Sequence, residues 1–370
     1  CDLNLKSKWS QFGILDKVLP NSHRYSSVKE SPKKLAIHFA KIVASVVILG
    51  FLYNKASSDP SFENFWDTPK SWLWISLALA ACFSAFFCSF IRWKIMVSAL
   101  DIDFSIRDAI RIGFIGQLFN VVAFGVIGGD SLRAFYVTRH VKNRIPAAIA
   151  SVIADRVVGL LTMFGIASTA FLYLSYRGPE FTGQEGMRTL NYIGQFVVSC
   201  SGIGFLGILA LFVSPTLSEM GWYKKLQKIP KLGTLLKTLT EIALMYRKRP
   251  KALAVSFLLS VGVNIAFLLT IFFMAMGLNV SHPTFANHFI IEPIAMVGNA
   301  APLPGGVGGM EAAMSFLYES FGSSSGVIVA FAFRFAILSV SAVGAVFWFA
   351  NRTQMQSVMK ASQVTKMSAA

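Results

Sequence analysis

The run NAAPLPGGVGGMEAA, residues 299–313, decides how this chain folds. It lies inside an apolar stretch, 286–321, yet it carries Pro302, Pro304, Gly305, Gly306, Gly308 and Gly309. Proline removes a backbone donor and clashes with the preceding turn, and glycine carries the largest entropic cost of helix formation. No regular helix can run through that block. A second break follows the apolar stretch 112–127, at Gly125, Gly128 and Gly129. Around these two breaks the chain is strongly apolar. A span needs about 20 mostly apolar residues, and six segments qualify: 35–53, 71–91, 147–176, 190–213, 252–276 and 326–350. The two broken stretches do not. In a bilayer, non-helical backbone survives only where protein buries it or where it lines a wet cavity.

Bulk composition points the same way. The chain is 54% hydrophobic and 14% charged, against roughly a quarter charged in a soluble domain. The net charge of +16 is gathered into linkers between apolar blocks. That distribution orients a membrane protein rather than building a nucleic-acid surface, so no nucleic-acid partner is expected. Cys82, Cys88 and Cys200 lie in apolar blocks without metal-ligand spacing. They are expected to pack, as free cysteines do. Trp72, Trp74, Trp93, Tyr53, Tyr176, Tyr192 and Trp348 stand near span ends, where interfacial aromatics are favoured.

Basic linkers alternate with neutral or acidic ones. Residues 1–34 hold seven Lys and Arg, and the linker 214–251 holds nine, whereas 54–70, 177–189 and 277–285 are balanced or free of them. Arg92, Lys94, Arg107 and Arg111 precede the first broken stretch, and Arg133, Arg139, Lys142 and Arg144 follow its break. Under the positive-inside rule, the first stretch enters and leaves from the cytoplasm and the second from the outside. The expected fold class is therefore an all-α polytopic membrane protein with six full spans and two glycine-broken re-entrant hairpins. Its parts are a cytoplasmic segment 1–34, a unit 35–176 with its hairpin near 112–140, and an external loop 177–189. A second unit, 190–350, follows with its hairpin near 286–321, and then a tail, 351–370. Both termini are expected in the cytoplasm of a bacterial or archaeal cell, with the chain multi-pass in the cytoplasmic membrane. Each unit has three crossings, so the second is expected upside down relative to the first, an inverted repeat of the kind many transporters use.

Polar residues recur in step with that plan. Asn120 precedes Gly128, Gly129 and Asp130, while Asn299 precedes Gly308, Gly309 and Glu311. Each third span carries a lone arginine: Arg156, ten residues past Pro146, and Arg334, eight past Gly326. Arginine at mid-depth costs at least about 2.5–3.5 kcal/mol and so must face the bundle interior. Two readings stay open. Arg156 could pair structurally with Asp155 or Asp130, and Arg334 with Glu311. Alternatively the guanidinium groups, with Arg133, could bind an anionic headgroup by their bidentate geometry. The freed amides near Gly305, Gly306, Gly308 and Gly309, and a helix starting near Met310, suit the same anion. Asn120, Asn299 and Gln117 also suit interhelical hydrogen bonding. Gly129-Asp130-Ser131-Leu132 spells an esterase-like motif without the His that chemistry needs, and Asp101-Ile102-Asp103 has no nucleotide-binding domain around it. His282 and His288 stand alone outside. Neither a cofactor nor a bound metal is expected.

The runs GVIGGDSLRAFYVTRH at 125–140, Ala154-Asp155-Arg156, and APLPGGVGGMEAA at 301–313 resemble the lysylphosphatidylglycerol synthase transmembrane family, also called flippase-like, over about 35–350. The resemblance implies a lipid flippase role and places Asp130, Arg133, Arg156, Glu311 and Arg334 on motif positions. Bifunctional members carry a large soluble synthase domain; here only 351–370 follow the last span, so no enzyme activity is expected. The expected substrate is a phosphate-bearing lipid or lipid-linked intermediate, with anionic lipids at the basic linkers and a lipid-modifying enzyme as a partner. The alternatives are a membrane-embedded headgroup enzyme and an accessory scaffold. Cysteines placed at 139 or 142 are expected to label from the cytoplasmic face and at 323 from the outside. Labelling of 323 from the cytoplasm would exclude the inverted plan.

Overall fold

A computed structural model describes residues 43, 47–54, 57, 67–122, 127–140, 145–177, 184–213, 225, 229, 232–299 and 306–350. Among the described residues, ten helices of 12 residues or more follow in order: α1 (Trp72–Ser98), α2 (Ile106–Val122), α3 (Ile127–His140), α4 (Ile145–Arg177), α5 (Gln184–Val213), α6 (Leu232–Tyr246), α7 (Pro250–Leu278), α8 (His288–Asn299), α9 (Gly309–Ser320) and α10 (Gly326–Ala350). No strand occurs among the described residues. Among the described residues five segments are long and apolar enough to cross a membrane: Trp72–Ser98, Pro146–Tyr176, Asn191–Leu209, Pro250–Leu278 and Gly326–Ala350. They coincide with the last five of the six expected spans. The first, 35–53, lies mostly outside the described residues; 47–54 is helical.

Each glycine-broken stretch becomes two short helices folded against each other, α2 with α3 and α8 with α9. At 1.5 Å per residue the 12-residue α8 and α9 reach about 18 Å, well short of a roughly 30 Å hydrocarbon core. Glycine makes both close approaches possible. A Cβ on Gly129 would run into the Gly116 carbonyl and the Asn120 side chain, and one on Gly298 would sit 2.6 Å from the Gly309 carbonyl. Ser105 caps α2, its hydroxyl accepting the Asp108 amide at 3.1 Å. Pro250 opens α7 at a position where its missing N–H costs nothing.

The long helices α1 and α7 run antiparallel along their whole length. The Ser71 amide donates to the Gly277 carbonyl at 2.8 Å, Trp74 meets Phe273, Phe86 meets Phe267, and Arg92 reaches Ser260. Two cross-packings flank this pair. The α2 helix of the first half lies on α10, with Gly344 against Phe114, and α8 of the second half lies on α4. Apolar side chains crowd the outer surface: Phe51, Leu73, Ile203, Leu206, Leu258 and Phe335 are all more than 60% exposed. An apolar exterior of this extent marks a lipid-facing surface.

Two sequence expectations change. Trp93 is fully buried against Phe104, so it is a core residue and not part of an interfacial belt; α1 continues to Ser98 and carries it inside. Trp72, Tyr176 and Tyr192 do stand exposed. Ser323 is buried and hydrogen-bonded to Ser281, so the exposed Ser324 is the better labelling position on that loop.

Substituting Gly129 or Gly298 by Ala overfills a helix contact and is expected to cost about 1–3 kcal/mol. Gly262 has open space around its Cβ direction, so Gly262→Ala is expected to be neutral or slightly stabilising. Thermal melting of the three purified variants in detergent checks the contrast; equal melting temperatures would contradict the packing described.

Candidate functional site

The same ion pair is built twice from the same sequence of elements. In the first half Asp130 lies in the first turn of α3 and Arg156 on the following long helix, α4. Arg156 Nε donates to one Asp130 oxygen at 2.7 Å and Nη2 to the other at 2.5 Å. In the second half Glu311 lies in the first turn of α9 and Arg334 on α10. Arg334 Nε donates to one Glu311 oxygen at 2.8 Å and Nη2 to the other at 3.1 Å. An acid in the first turn of a helix is favoured by the N-terminal dipole, and the paired N–H groups of arginine match a carboxylate edge. Of the open pairings, the structure selects Asp130 for Arg156 and Glu311 for Arg334.

The asparagines belong to the two sites in different ways. Asn120 Oδ1 accepts the Gly129 amide at 2.9 Å and ties α2 to α3. Asn299 Oδ1 accepts Arg334 Nη1 at 2.9 Å. The broken loop also serves Arg334, because Gly306, at φ 67°, turns its carbonyl to accept Nη2 at 3.1 Å. Gly308, at φ 98°, donates its amide to Glu311 at 2.8 Å. Positive φ is open to glycine at little cost. Gly309 starts α9 and supplies the close contact with Gly298. Gly305 lies outside the described residues.

The two sites differ in access. Glu311 and Arg334 are 1% and 11% exposed at the side chain, whereas Asp130 and Arg156 are 18% and 39% exposed. The first site also carries more charge than its ion pair. Arg133 is buried, its guanidinium over the Phe90 and Trp93 rings at 5.5 and 5.4 Å, and it approaches Asp130 only to 3.8 Å. Its Nε has no hydrogen-bond partner. Arg133 is within electrostatic reach of Asp130, Asp155, Arg92 and Arg156. Among the described residues three guanidinium groups therefore face two carboxylates, leaving one positive charge in excess.

Two of those groups were misplaced by sequence reasoning. Asp155 does not pair with Arg156. It accepts Arg92 Nε and Nη2 at 2.7 and 3.1 Å, and Arg92 Nη1 donates to Ser260 at 2.7 Å. Arg92 is 5% exposed, so it is an intramembrane partner and not a linker charge. The signal was present: Trp93, Ile95, Met96 and Val97 continue the apolar helix past Arg92. Likewise His288, expected to stand alone, is buried and bonds Tyr318 at 2.9 Å.

Beyond this charged cluster lies an apolar cavity of about 720 Å³, between α4, α5 and α7. Thr162, Gly165, Thr169 and Tyr173 form its α4 wall. Thr162 is two turns past Asp155 on the same helix face.

Breaking a buried ion pair on one side leaves an uncompensated charge and costs about 3–5 kcal/mol, whereas replacing both partners by apolar groups is often neutral. Arg92→Met and Asp155→Leu are each expected to lower thermal stability strongly, and the double variant to recover most of it. Additive losses in that mutant cycle would argue against a direct pair.

A family model described as the lysylphosphatidylglycerol synthase TM region matches residues 38–360. No curated protein and no solved structure matches the chain. The match covers most of the chain, which belongs to this family.

Proposed function

We propose that the protein is a flippase that moves a phosphate-bearing lipid, or a lipid-linked intermediate, between membrane leaflets. The observation that carries this reading is the half-open cluster of Arg92, Arg133 and Arg156 against Asp130 and Asp155, with one guanidinium more than its carboxylates can neutralise. An anionic headgroup supplies the missing negative charge. The planar donors of Arg156 suit phosphate as well as carboxylate, so a headgroup can take the place of Asp130. The apolar cavity beside α4 gives the lipid chains a dry path next to the cluster.

The repeated acid–arginine pair supports an inverted repeat with re-entrant hairpins. So do the antiparallel α1 and α7, and the exchange by which each half lays its first short helix on the other half's last long one. In that plan the first site belongs to the cytoplasmic side and the second to the outside. The open first site and sealed second site then correspond to one end state of alternating access. The headgroup would pass from Arg156 to Arg334 as the halves rock, each arginine being held by its own carboxylate when unloaded. Basic linkers such as 214–251 would hold the protein against anionic lipid.

Arg156→Ala, and Arg334→Ala where thermal melting shows that it folds, are expected to abolish movement of a fluorescent phosphatidylglycerol in reconstituted vesicles. Lysine at either position is expected to restore only part of the rate, because it keeps the charge and loses the fork. Undiminished translocation by folded alanine variants would reduce both pairs to structural ties. Chemical alteration of the lipid during the assay would favour a headgroup enzyme instead.

A further inference from the structure

Glu292 is the one carboxylate of α8, and it is 1% exposed. Its Oε1 is buried without a hydrogen-bond partner, and among the described residues no cation pairs with it. An ionised carboxylate cannot be held in such a place without compensation, so the group must carry a proton when the site is closed. Intramembrane ionisable groups are costly and are associated with ion paths and proton relays.

Its surroundings have a direction. His282 is exposed on the loop before α8. Its ring centroid lies 6.4 Å from that of His288, which is fully buried at the first residue of α8. His288 bonds the Thr284 carbonyl through Nδ1 and the Tyr318 hydroxyl through Nε2, both at 2.9 Å. Glu292 follows one turn deeper on the same helix face, and Asn299 two turns deeper again. Asn299 is the residue that holds Arg334. One face of α8 thus runs from the buried His288, beside the exposed His282 of the loop, past Glu292 to the second acid–arginine site.

Among the described side chains of the elements packed against α8, none is a counter-ion to Glu292. From α9 come Glu311, bonded to Arg334, Tyr318, bonded to His288, and Glu319, near Ser315. The α4 helix carries Asp155 and Arg156, both already paired, then Tyr173, Tyr176 and Arg177. The α7 helix carries only Lys251, at its opposite end.

We propose that Glu292 is a proton-binding site, filled from the loop face through His282 and His288, whose loading is coupled to the Glu311–Arg334 site and drives transport. Both ring nitrogens of His288 are engaged, by the Thr284 carbonyl and the Tyr318 hydroxyl, so the ring leaves one of these bonds to take up and pass on a proton and then returns, and each histidine is left unchanged. The carboxylate of Glu292 gains the proton and becomes neutral. A proton is favoured over a headgroup ammonium because the sealed position leaves no room for a larger cation. The coupling part rests on the flippase reading; the proton site does not.

Two measurements on the full chain test this. In lipid nanodiscs, infrared difference spectra are recorded between about pH 5 and pH 10, spanning ordinary and burial-raised carboxyl ranges. A protonated-carboxyl band should persist at neutral pH, disappear in Glu292→Gln and move in frequency in Glu292→Asp. A band unchanged in either variant overturns the site. In vesicles containing fluorescent-headgroup phosphatidylglycerol, a gradient of one pH unit should shift the leaflet distribution by up to about tenfold per coupled proton. Glu292→Gln should show no response to the gradient. A wild-type distribution indifferent to the gradient overturns the coupling. If the wild type moves no lipid at all, the flippase reading and its coupling fail together, while the infrared result still decides the proton site.

Discussion

Charge that enters a bilayer must be answered inside the protein, and most of the interior of this molecule is arranged around that constraint. Water hardly reaches Arg92 or Arg334 and reaches Arg156 only in part, and each is met by a carboxylate with two-point geometry. Those carboxylates need fixed positions, and two of the three stand in the first turn of a short helix. A short helix at membrane depth must end there, and its ends need satisfied backbone groups. The glycine breaks supply them: Gly308 donates to Glu311, and Gly306 accepts from Arg334. Loop, helix start and ion pair are one unit.

The two halves use this unit with different tightness. In the second half, Glu311 accepts from both Arg334 and Gly308, and Arg334 also holds Asn299. Glu311 and Arg334 each have several partners and little exposure, which suits a rigid site in a low-dielectric interior. In the first half Asn120 is spent on joining α2 to α3, and among the described residues Arg156 bonds Asp130 alone. Arg133 beside it rests mainly on aromatic faces. A site with fewer bonds and an excess charge is the more easily rearranged of the two. The buried Arg92–Asp155–Ser260 group ties α1, α4 and α7 together beneath it, so the looser arginines are presented from a fixed frame.

Glycine at helix contacts has a second role. With lipid outside and apolar side chains inside, no strong hydrophobic force presses helices together, and close approach must supply the attraction. Gly116 with Gly129, Gly298 with Gly309, and Gly277 with Ile75 are such approaches. They set α2 on α3, α8 on α9 and α7 on α1. The position of each acid relative to its arginine follows from these contacts.

The sequence alone determined that the chain is a helical membrane protein, where five of its long helices lie, and that two stretches could not be continuous helices. Those conclusions rest on local quantities: the length of an apolar run, and the backbone limits of proline and glycine. It also singled out Asp130, Arg156, Glu311 and Arg334, because a charge in an apolar run stands out wherever it folds. Which charge meets which was decided only in three dimensions. Asp155 and Arg156 are neighbours in the chain, but adjacent helical residues point about 100° apart. Asp155 therefore turns to Arg92 and Arg156 to Asp130. Arg92 looked like a linker charge because it follows an apolar run directly; only the packing of α1 on α7 carries it inside, to Ser260. Burial of Trp93, His288 and Glu292 likewise depends on which helix covers them, and no local pattern records that.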